Sequence, residues 1–208
     1  MPTVSAGVSA RTQTMNDGFS LLFLCAGNRF RSPLAAAFVR RLTIGFPVTV
    51  SSAGTLSVGD AAALPEAREL GAWCGVDLSM HRARQLAPEQ LLGVDLVIGF
   101  EQFHVRHAVI DGGADRRLAF TLGELVYLLG ELGPPAPGGP LAATARERVR
   151  LADELRDHAL SSPGDVPDPF GGPKKGYRST AVRVQGLSVA LVEGLFGMTG
   201  RGGLVLLD

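Results

Sequence analysis

The chain has 208 residues, which is the length of one ordinary domain and enough to bury a core without disulfide or metal support. Apolar residues make up 46% of it and charged residues 19%, which excludes a chain that is mainly disordered and polar. Because 20 basic residues balance 20 acidic ones, the composition gives no indication of binding to nucleic acid or to a membrane surface.

The cysteine content is typical of a reducing compartment. The two cysteines, Cys25 and Cys74, are too few for a secreted disulfide scaffold, and neither lies at zinc-binding spacing. Residues 1–18 lack the features of a secretory signal and are interpreted as a flexible N-terminal extension. We therefore expect a cytoplasmic protein without a metal or other cofactor, in which Cys74 is a small core residue.

Strand and helix patterns alternate along the rest of the chain. The apolar run Phe19–Leu24 predicts a buried strand, and the pattern after it predicts a helix that begins at Ser32, with Pro33 in its first turn. Further strands are predicted at residues 48–51, 94–98 and 117–120, and further helices at residues 65–74, 101–110, 121–132, 141–160 and 177–198.

This order of elements predicts an α/β fold, in which a four-stranded parallel sheet carries helices on both faces in three layers. One domain would span residues 19–198, with a Pro/Gly-rich loop at 133–140 and a C-terminal tail at 199–208. Because ligands of such sheets bind at the carboxyl ends of the strands, functional residues are expected in the loops that follow them.

The loop after the first strand has the features of an anion-binding site. Cys25 and Arg31 enclose five residues, a spacing that lets successive backbone N–H groups converge in front of the following helix. The guanidinium of Arg31 matches two phosphate oxygens, and the same positive field favours the thiolate of Cys25, which would lie in line for attack on phosphorus. The predicted phosphate-binding residues are Ala26, Gly27, Asn28, Arg29, Phe30, Arg31 and Ser32.

Residues 22–33, with the sequence Leu-Phe-Leu-Cys-Ala-Gly-Asn-Arg-Phe-Arg-Ser-Pro, resemble the phosphate loop of the low-molecular-weight protein tyrosine phosphatases. The resemblance continues at residues 52–55, at residues 81–86, and at residues 95–98 followed by Glu101, and it ends at the Asp-Pro-Phe sequence of residues 168–170. It implies the three-layer fold of that family, described as phosphotyrosine phosphatase I-like, and the hydrolysis of phosphomonoesters.

The resemblance also implies a role for individual residues. Cys25 corresponds to the nucleophile that forms a phosphocysteine, and Arg31 to the residue that binds the phosphoryl oxygens. Ser32 corresponds to the hydroxyl that hydrogen-bonds the thiolate, and Asp168 to the general acid that later activates water. Three further residues correspond to those that hold the phosphate loop in shape: Asn28, Ser52 and His81.

Simpler interpretations stay open for several of these residues. Asp168 precedes a proline and could begin a turn, His81 could be a surface histidine, and Ser52 could be an ordinary serine at a strand end. In many members of the family a second cysteine lies directly before the arginine, whereas this chain has Phe30 there, so the protective disulfide of those members is not expected.

The resemblance implies the activity of a protein tyrosine phosphatase. The expected substrate is a phosphorylated protein or a small phosphomonoester, with inorganic phosphate as product and with neither nucleic acid nor membrane as partner. Tyrosine phosphatases of this type commonly carry an aromatic residue after the Ser-Ala-Gly-Thr sequence, where this chain has Leu56. A phosphatase for a small molecule such as a sugar phosphate is therefore an alternative. Others are an arsenate reductase that uses an external thiol and a non-catalytic phosphate-binding module.

Overall fold

The computed structural model describes residues 18–156, 164–199 and 204–207. Its centre is a four-stranded sheet in the order β2-β1-β3-β4, and every neighbouring pair is parallel. The strands are β1 (Phe19–Cys25), β2 (Val48–Gly54), β3 (Leu96–Gly99) and β4 (Ala119–Thr121). The predicted parallel α/β sheet is confirmed. The strand β1, whose sequence is a continuous apolar run, lies at an inner position between β2 and β3.

Helices cover both faces of the sheet, as predicted. They are α1 (Arg31–Leu42), α2 (Pro65–Trp73), α3 (Gln102–Ile110), α4 (Leu122–Glu131), α5 (Leu141–Arg156) and α6 (Lys174–Phe196). Short 3₁₀ turns precede β3 and β4, at Pro88–Leu91 and Arg116–Leu118.

Alternation along β1 divides the core between the two faces. Phe19, Leu21 and Phe23 point into the larger core, with residues of α1, α2, α4, α5 and α6. Leu22 and Leu24 point into the smaller core, against α3 and the segment before β3. The carboxyl ends of β1, β2, β3 and β4 therefore lie on one edge of a sheet that is fixed from both sides.

The start of α1 differs from the prediction. The helix begins at Arg31, with Phe30 as the preceding residue and no side-chain cap, so Ser32 is not the N-cap. The hydroxyl of Ser32 is instead directed at Cys25. The last helix also begins earlier than predicted, at Lys174, because Pro173 lies at its N-cap, where a proline is tolerated.

The C-terminal tail is partly packed. Leu204 and Leu207 are buried, and the side chain of Gln185 in α6 bonds the backbone of this segment twice: it donates to Val205 O at 2.7 Å and accepts from Leu207 N at 3.0 Å. Cys74 is fully buried beside this segment, as expected for a core residue, and burial raises the pKa of its thiol. The predicted extension at residues 1–17 and the end of the predicted helix at 157–160 lie outside the described residues.

Candidate active site

The loop between β1 and α1 wraps around one point at the carboxyl edge of the sheet. Asn28 adopts a left-handed backbone conformation, with φ of 50°, which asparagine tolerates better than most residues. The loop is packed directly against β2: a Cβ on Gly54 would lie 2.7 Å from Ala26 O and 3.0 Å from Asn28 N. Glycine at this position is therefore what lets the loop approach the sheet.

Cys25 is the last residue of β1 and lies at the bottom of this loop, only 3% exposed. Its Sγ lies 3.0 Å from Ser32 Oγ, in the first turn of α1. Ser32 Oγ also accepts a hydrogen bond from Asn28 Nδ2 at 2.9 Å, which leaves the hydroxyl proton available for Sγ. The sulfur thus faces the Ser32 hydroxyl and the first turn of α1, and the same hydroxyl also lies 3.4 Å from Ala53 O.

Arg31 is 1% exposed, and acceptors from two other loops hold its guanidinium. One terminal nitrogen donates to Glu101 and to Val166 O, the latter at 2.8 Å, and the other donates to Asp168 Oδ2 at 2.7 Å. These acceptors lie at least 70 positions away in the sequence, so the fold alone brings them together.

Asp168 precedes Phe170, whose backbone N–H it caps: Oδ1 accepts from Phe170 N at 3.2 Å. Its loop is attached to the sheet through Val166, whose N–H donates to Phe100 O at 2.8 Å. The carboxylate of Asp168 therefore lies at the mouth of the loop that follows β1. It does not lie in an isolated turn, which was the simpler interpretation of its sequence.

The residues thought to hold the loop in shape form one hydrogen-bond network around Asn28. Its Nδ2 also donates to Ser52 Oγ at 2.9 Å, and its Oδ1 accepts from Arg84 N at 3.0 Å. His81 Nε2 lies 2.7 Å from Asn28 O and donates to that carbonyl. Burial, together with nearby arginines, lowers the pKa of His81.

A cavity of about 220 Å³ opens above the sulfur. Its upper walls are mostly apolar, and its floor carries Cys25, Arg31 and the loop backbone. The wall residues are Phe30, Leu56, Val58, Leu64 and Phe170. Phe30 is buried edge-on against Tyr177, with ring centroids 5.2 Å apart, and the Tyr177 hydroxyl accepts from Gly171 N at 3.1 Å. Phe30 thus links the phosphate loop to the loop that carries Asp168.

Sequence reasoning placed Glu101 in the resemblance but gave it no role, and it did not consider His104 or Val166. His104 is 1% exposed, and its Nδ1 accepts from Glu101 N at 3.0 Å. Burial, and then the charge of Arg31, lower the pKa of His104 to about 4, so the ring is neutral. Glu101 was recognisable in principle, because it follows β3 directly at the functional edge of the sheet.

The described part of the chain lacks two kinds of feature. It contains no group of three or more His, Cys, Asp or Glu residues arranged to hold a metal ion. Within the same residues, no helix is both long enough and apolar enough to cross a bilayer.

Comparison with known proteins gives consistent matches. The sequence profile described as low molecular weight phosphotyrosine protein phosphatase matches residues 20–128. The probable low molecular weight protein-tyrosine-phosphatase EpsP of Ralstonia nicotianae is 34% identical over 111 residues, which cover 51% of this chain and 72% of that protein.

Two further matches extend over most of the chain. The protein-arginine-phosphatase of Bacillus subtilis is 28% identical over 177 residues, covering 84% of this chain and 95% of that protein. The crystal structure of a low molecular weight protein tyrosine phosphatase from T. tengcongensis superposes with a TM-score of 0.64 at 29% identity, covering 85% of this chain and 99% of that one.

Proposed function

Because the chain belongs to the low molecular weight phosphotyrosine protein phosphatase family and is a cysteine-based phosphatase, we propose that it hydrolyses phosphotyrosine in proteins through a phosphocysteine formed on Cys25. The observation that carries the proposal is the position of Cys25 Sγ. It lies beneath a cavity whose floor holds Arg31 and whose mouth holds Asp168.

In the first step, the thiolate of Cys25 attacks phosphorus, the S–P bond forms, and the bond from phosphorus to the leaving oxygen breaks. Arg31 and the loop N–H groups bind the three equatorial oxygens, where charge develops in the transition state. Asp168, in its protonated form, donates its proton to the leaving oxygen.

In the second step, Asp168 takes a proton from water as that water attacks phosphorus. The S–P bond breaks, inorganic phosphate leaves, and the thiolate is restored with Ser32 as its hydroxyl donor. Glu101 and Val166 O do not touch the reacting atoms in this scheme. They hold one terminal nitrogen of Arg31, so the guanidinium keeps its orientation while its other nitrogen exchanges Asp168 for phosphate.

The walls of the cavity favour an aromatic substrate. Leu56, Val58 and Phe170 are partly exposed apolar side chains around the opening, a surface that would bury the two faces of a phenyl ring. A small sugar phosphate would place hydroxyl groups against these walls without hydrogen-bond partners, which is unfavourable.

Phosphoarginine is a second candidate, because the protein-arginine-phosphatase of Bacillus subtilis aligns over 84% of this chain. The charges in the cavity oppose it. A phosphoarginine side chain brings a guanidinium group, which would meet Arg29 and Arg31 in the lining, and Asp168 is the lining carboxylate that could offset them.

The cytoplasmic location expected from the two unpaired thiols stays a prediction.

The test is a substrate panel with the purified chain: a phosphotyrosine peptide, the matching phosphoarginine peptide, a sugar phosphate, and arsenate with an external thiol. We expect the highest kcat/KM for the phosphotyrosine peptide. A higher value for any other member would overturn the proposed substrate and leave the phosphatase chemistry in place.

The nucleophile is tested separately. Cys25→Ser should abolish turnover, and Cys74→Ala, which removes a buried thiol away from the cavity, should keep it. Acid quenching during turnover should trap one phosphoryl group on the peptide that contains Cys25. Turnover at the wild-type rate by Cys25→Ser, or a phosphoryl group on another residue, would overturn the assignment.

A further inference from the structure

A second cleft, of about 600 Å³, lies on the other side of the phosphate loop, along the edge strand β2. Its walls are the outer residues of β2, the last turn of α1, and residues 77–84. Four basic side chains line it: Arg40, His81, Arg82 and Arg84. The chain as a whole has no net charge, so this concentration of positive charge is a local feature of the fold.

Two of these arginines, Arg40 and Arg84, are exposed residues with contacts to the backbone or through it. Arg40 donates from Nε to Val50 O at 3.0 Å, which leaves both terminal nitrogens of its guanidinium for other acceptors. Arg84 is held by its own backbone: its N–H donates to Asn28 Oδ1 at 3.0 Å, and its carbonyl accepts from Gly54 N at 2.8 Å.

Neither guanidinium forms an ion pair with a carboxylate of the described residues. Elsewhere in the chain arginines are paired: Arg117, Arg146 and Arg150 contact carboxylates at 2.9, 2.7 and 2.7 Å. Asp77 is the carboxylate among the residues that line the cleft. Its oxygens already accept hydrogen bonds within its own turn, from Ser79 N at 2.7 Å and from Ser79 Oγ at 2.8 Å. Arg82 lies 4.0 Å from Asp60, so the excess of positive charge in the cleft comes from Arg40 and Arg84.

We propose that this cleft is a second anion site, which binds the phosphate group of a small phosphorylated molecule or free phosphate. A guanidinium presents paired N–H donors that match the oxygens of a tetrahedral dianion, and two of them line this cleft. The volume is in the range of small-molecule sites.

The site would act on the phosphate loop through Asn28. His81 and Arg84 both line the cleft, and both bond to Asn28, one to its carbonyl and the other to its side chain. Burial and the charges of Arg40, Arg84 and Arg82 lower the pKa of His81. An anion between these arginines offsets their charge, so it raises the pKa of His81.

The experiment is a titration of the full chain with sodium sulfate, followed by NMR at the backbone amides and at the His81 imidazole. We expect two sets of shifts, one at residues 26–32 and the other at residues 51–52 and 81–84, together with a rise in the pKa of His81. The double variant Arg40→Gln/Arg84→Gln should lose about tenfold or more in sulfate affinity for the second set alone.

Arg41→Gln is the matched control, because Arg41 neighbours Arg40, is exposed, and does not line the cleft. It should change both sets of affinities less than twofold. If the double variant folds poorly, Arg82→Gln, whose side chain is exposed, should weaken the second set about threefold. A His81 pKa that sulfate does not move in the wild type, or equal losses in Arg41→Gln and the double variant, would overturn the proposal.

Repeating the titration with inorganic phosphate and with AMP distinguishes the two proposed ligands, free phosphate and a small phosphorylated molecule. Tighter binding of AMP at the second set indicates a phosphorylated metabolite, and tighter binding of phosphate indicates the reaction product. The proposed function is tested separately, by the substrate panel and by Cys25→Ser, so failure at the cleft leaves it untouched.

Discussion

Replacing Asn28 with alanine tests whether the hydrogen-bond network holds the phosphate loop. The change removes three side-chain hydrogen bonds, to Ser32, Ser52 and Arg84. Each is partly or fully buried and contributes about 1 kcal/mol net. Alanine must also adopt the φ of 50° seen at this position, which costs a further ~1 kcal/mol. We therefore expect Asn28→Ala to lower the free energy of unfolding by about 4 kcal/mol.

Two further variants divide this loss into its parts. Asn28→Gly removes the same bonds but accepts the left-handed backbone, so it should lose about 1 kcal/mol less than Asn28→Ala. Ser52→Ala removes one bond of the network and should lose about 1 kcal/mol.

The measurement is equilibrium unfolding in urea with a shared m-value, combined with turnover of para-nitrophenyl phosphate. Asn28→Ala should reduce kcat strongly, because the loop N–H groups no longer converge on the phosphoryl oxygens, while Ser52→Ala should retain most of the activity. A loss below 1 kcal/mol in Asn28→Ala, or full activity in that variant, would mean that the network does not set the shape of the loop.

Two other predictions concern the acid and the buried histidine. Asp168→Asn should lower kcat by about 10²- to 10⁴-fold for leaving groups of high pKa and much less for para-nitrophenol, and equal losses across leaving groups would exclude the general-acid role. The pKa of His104, depressed from 6.5 to about 4, makes the fold lose about 3 kcal/mol as the pH falls from 6.5 to 4, because the unfolded chain takes up the proton first. His104→Gln keeps an acceptor for Glu101 N and should flatten this part of the stability–pH curve; an unchanged slope would show that His104 does not cause it.

The sheet was predictable because its signals are local. The apolar run of β1 can be read directly, since a strand covered on both faces has no polar side. Boundaries were less accurate where tertiary contacts decide them. The third strand was predicted from residue 94, but it begins at Leu96, because the Asp95 side chain bonds Ser20 N at 2.8 Å and Arg146 Nε at 2.7 Å.

The candidate site likewise has one part that local sequence signals predict and another part that only tertiary contacts bring together. Residues 25–32 are contiguous, so their spacing predicts a loop around one anion before any fold is known. Asp168 lies 137 positions from Arg31 in the sequence, and no sequence pattern predicts that the two side chains are in contact. Its assignment depended on resemblance alone. Val166 acts through its backbone, which no side-chain pattern can reveal. The helix was predicted to begin at Ser32 and begins one residue earlier, at Arg31, whereas the Ser32 hydroxyl lies 3.0 Å from Cys25 Sγ, in line with the role that the resemblance implied.

The loop that carries Asp168, the proposed general acid, is anchored through the backbone of a single residue. Val166 donates to Phe100 O and accepts from Arg31, so the segment just before Asp168 is fixed to the end of β3 and to the guanidinium together. Phe170, two residues beyond the acid, is 68% exposed and free of that anchoring. Selectivity among phosphorylated substrates could therefore evolve at the rim while the position of Asp168 stays constant.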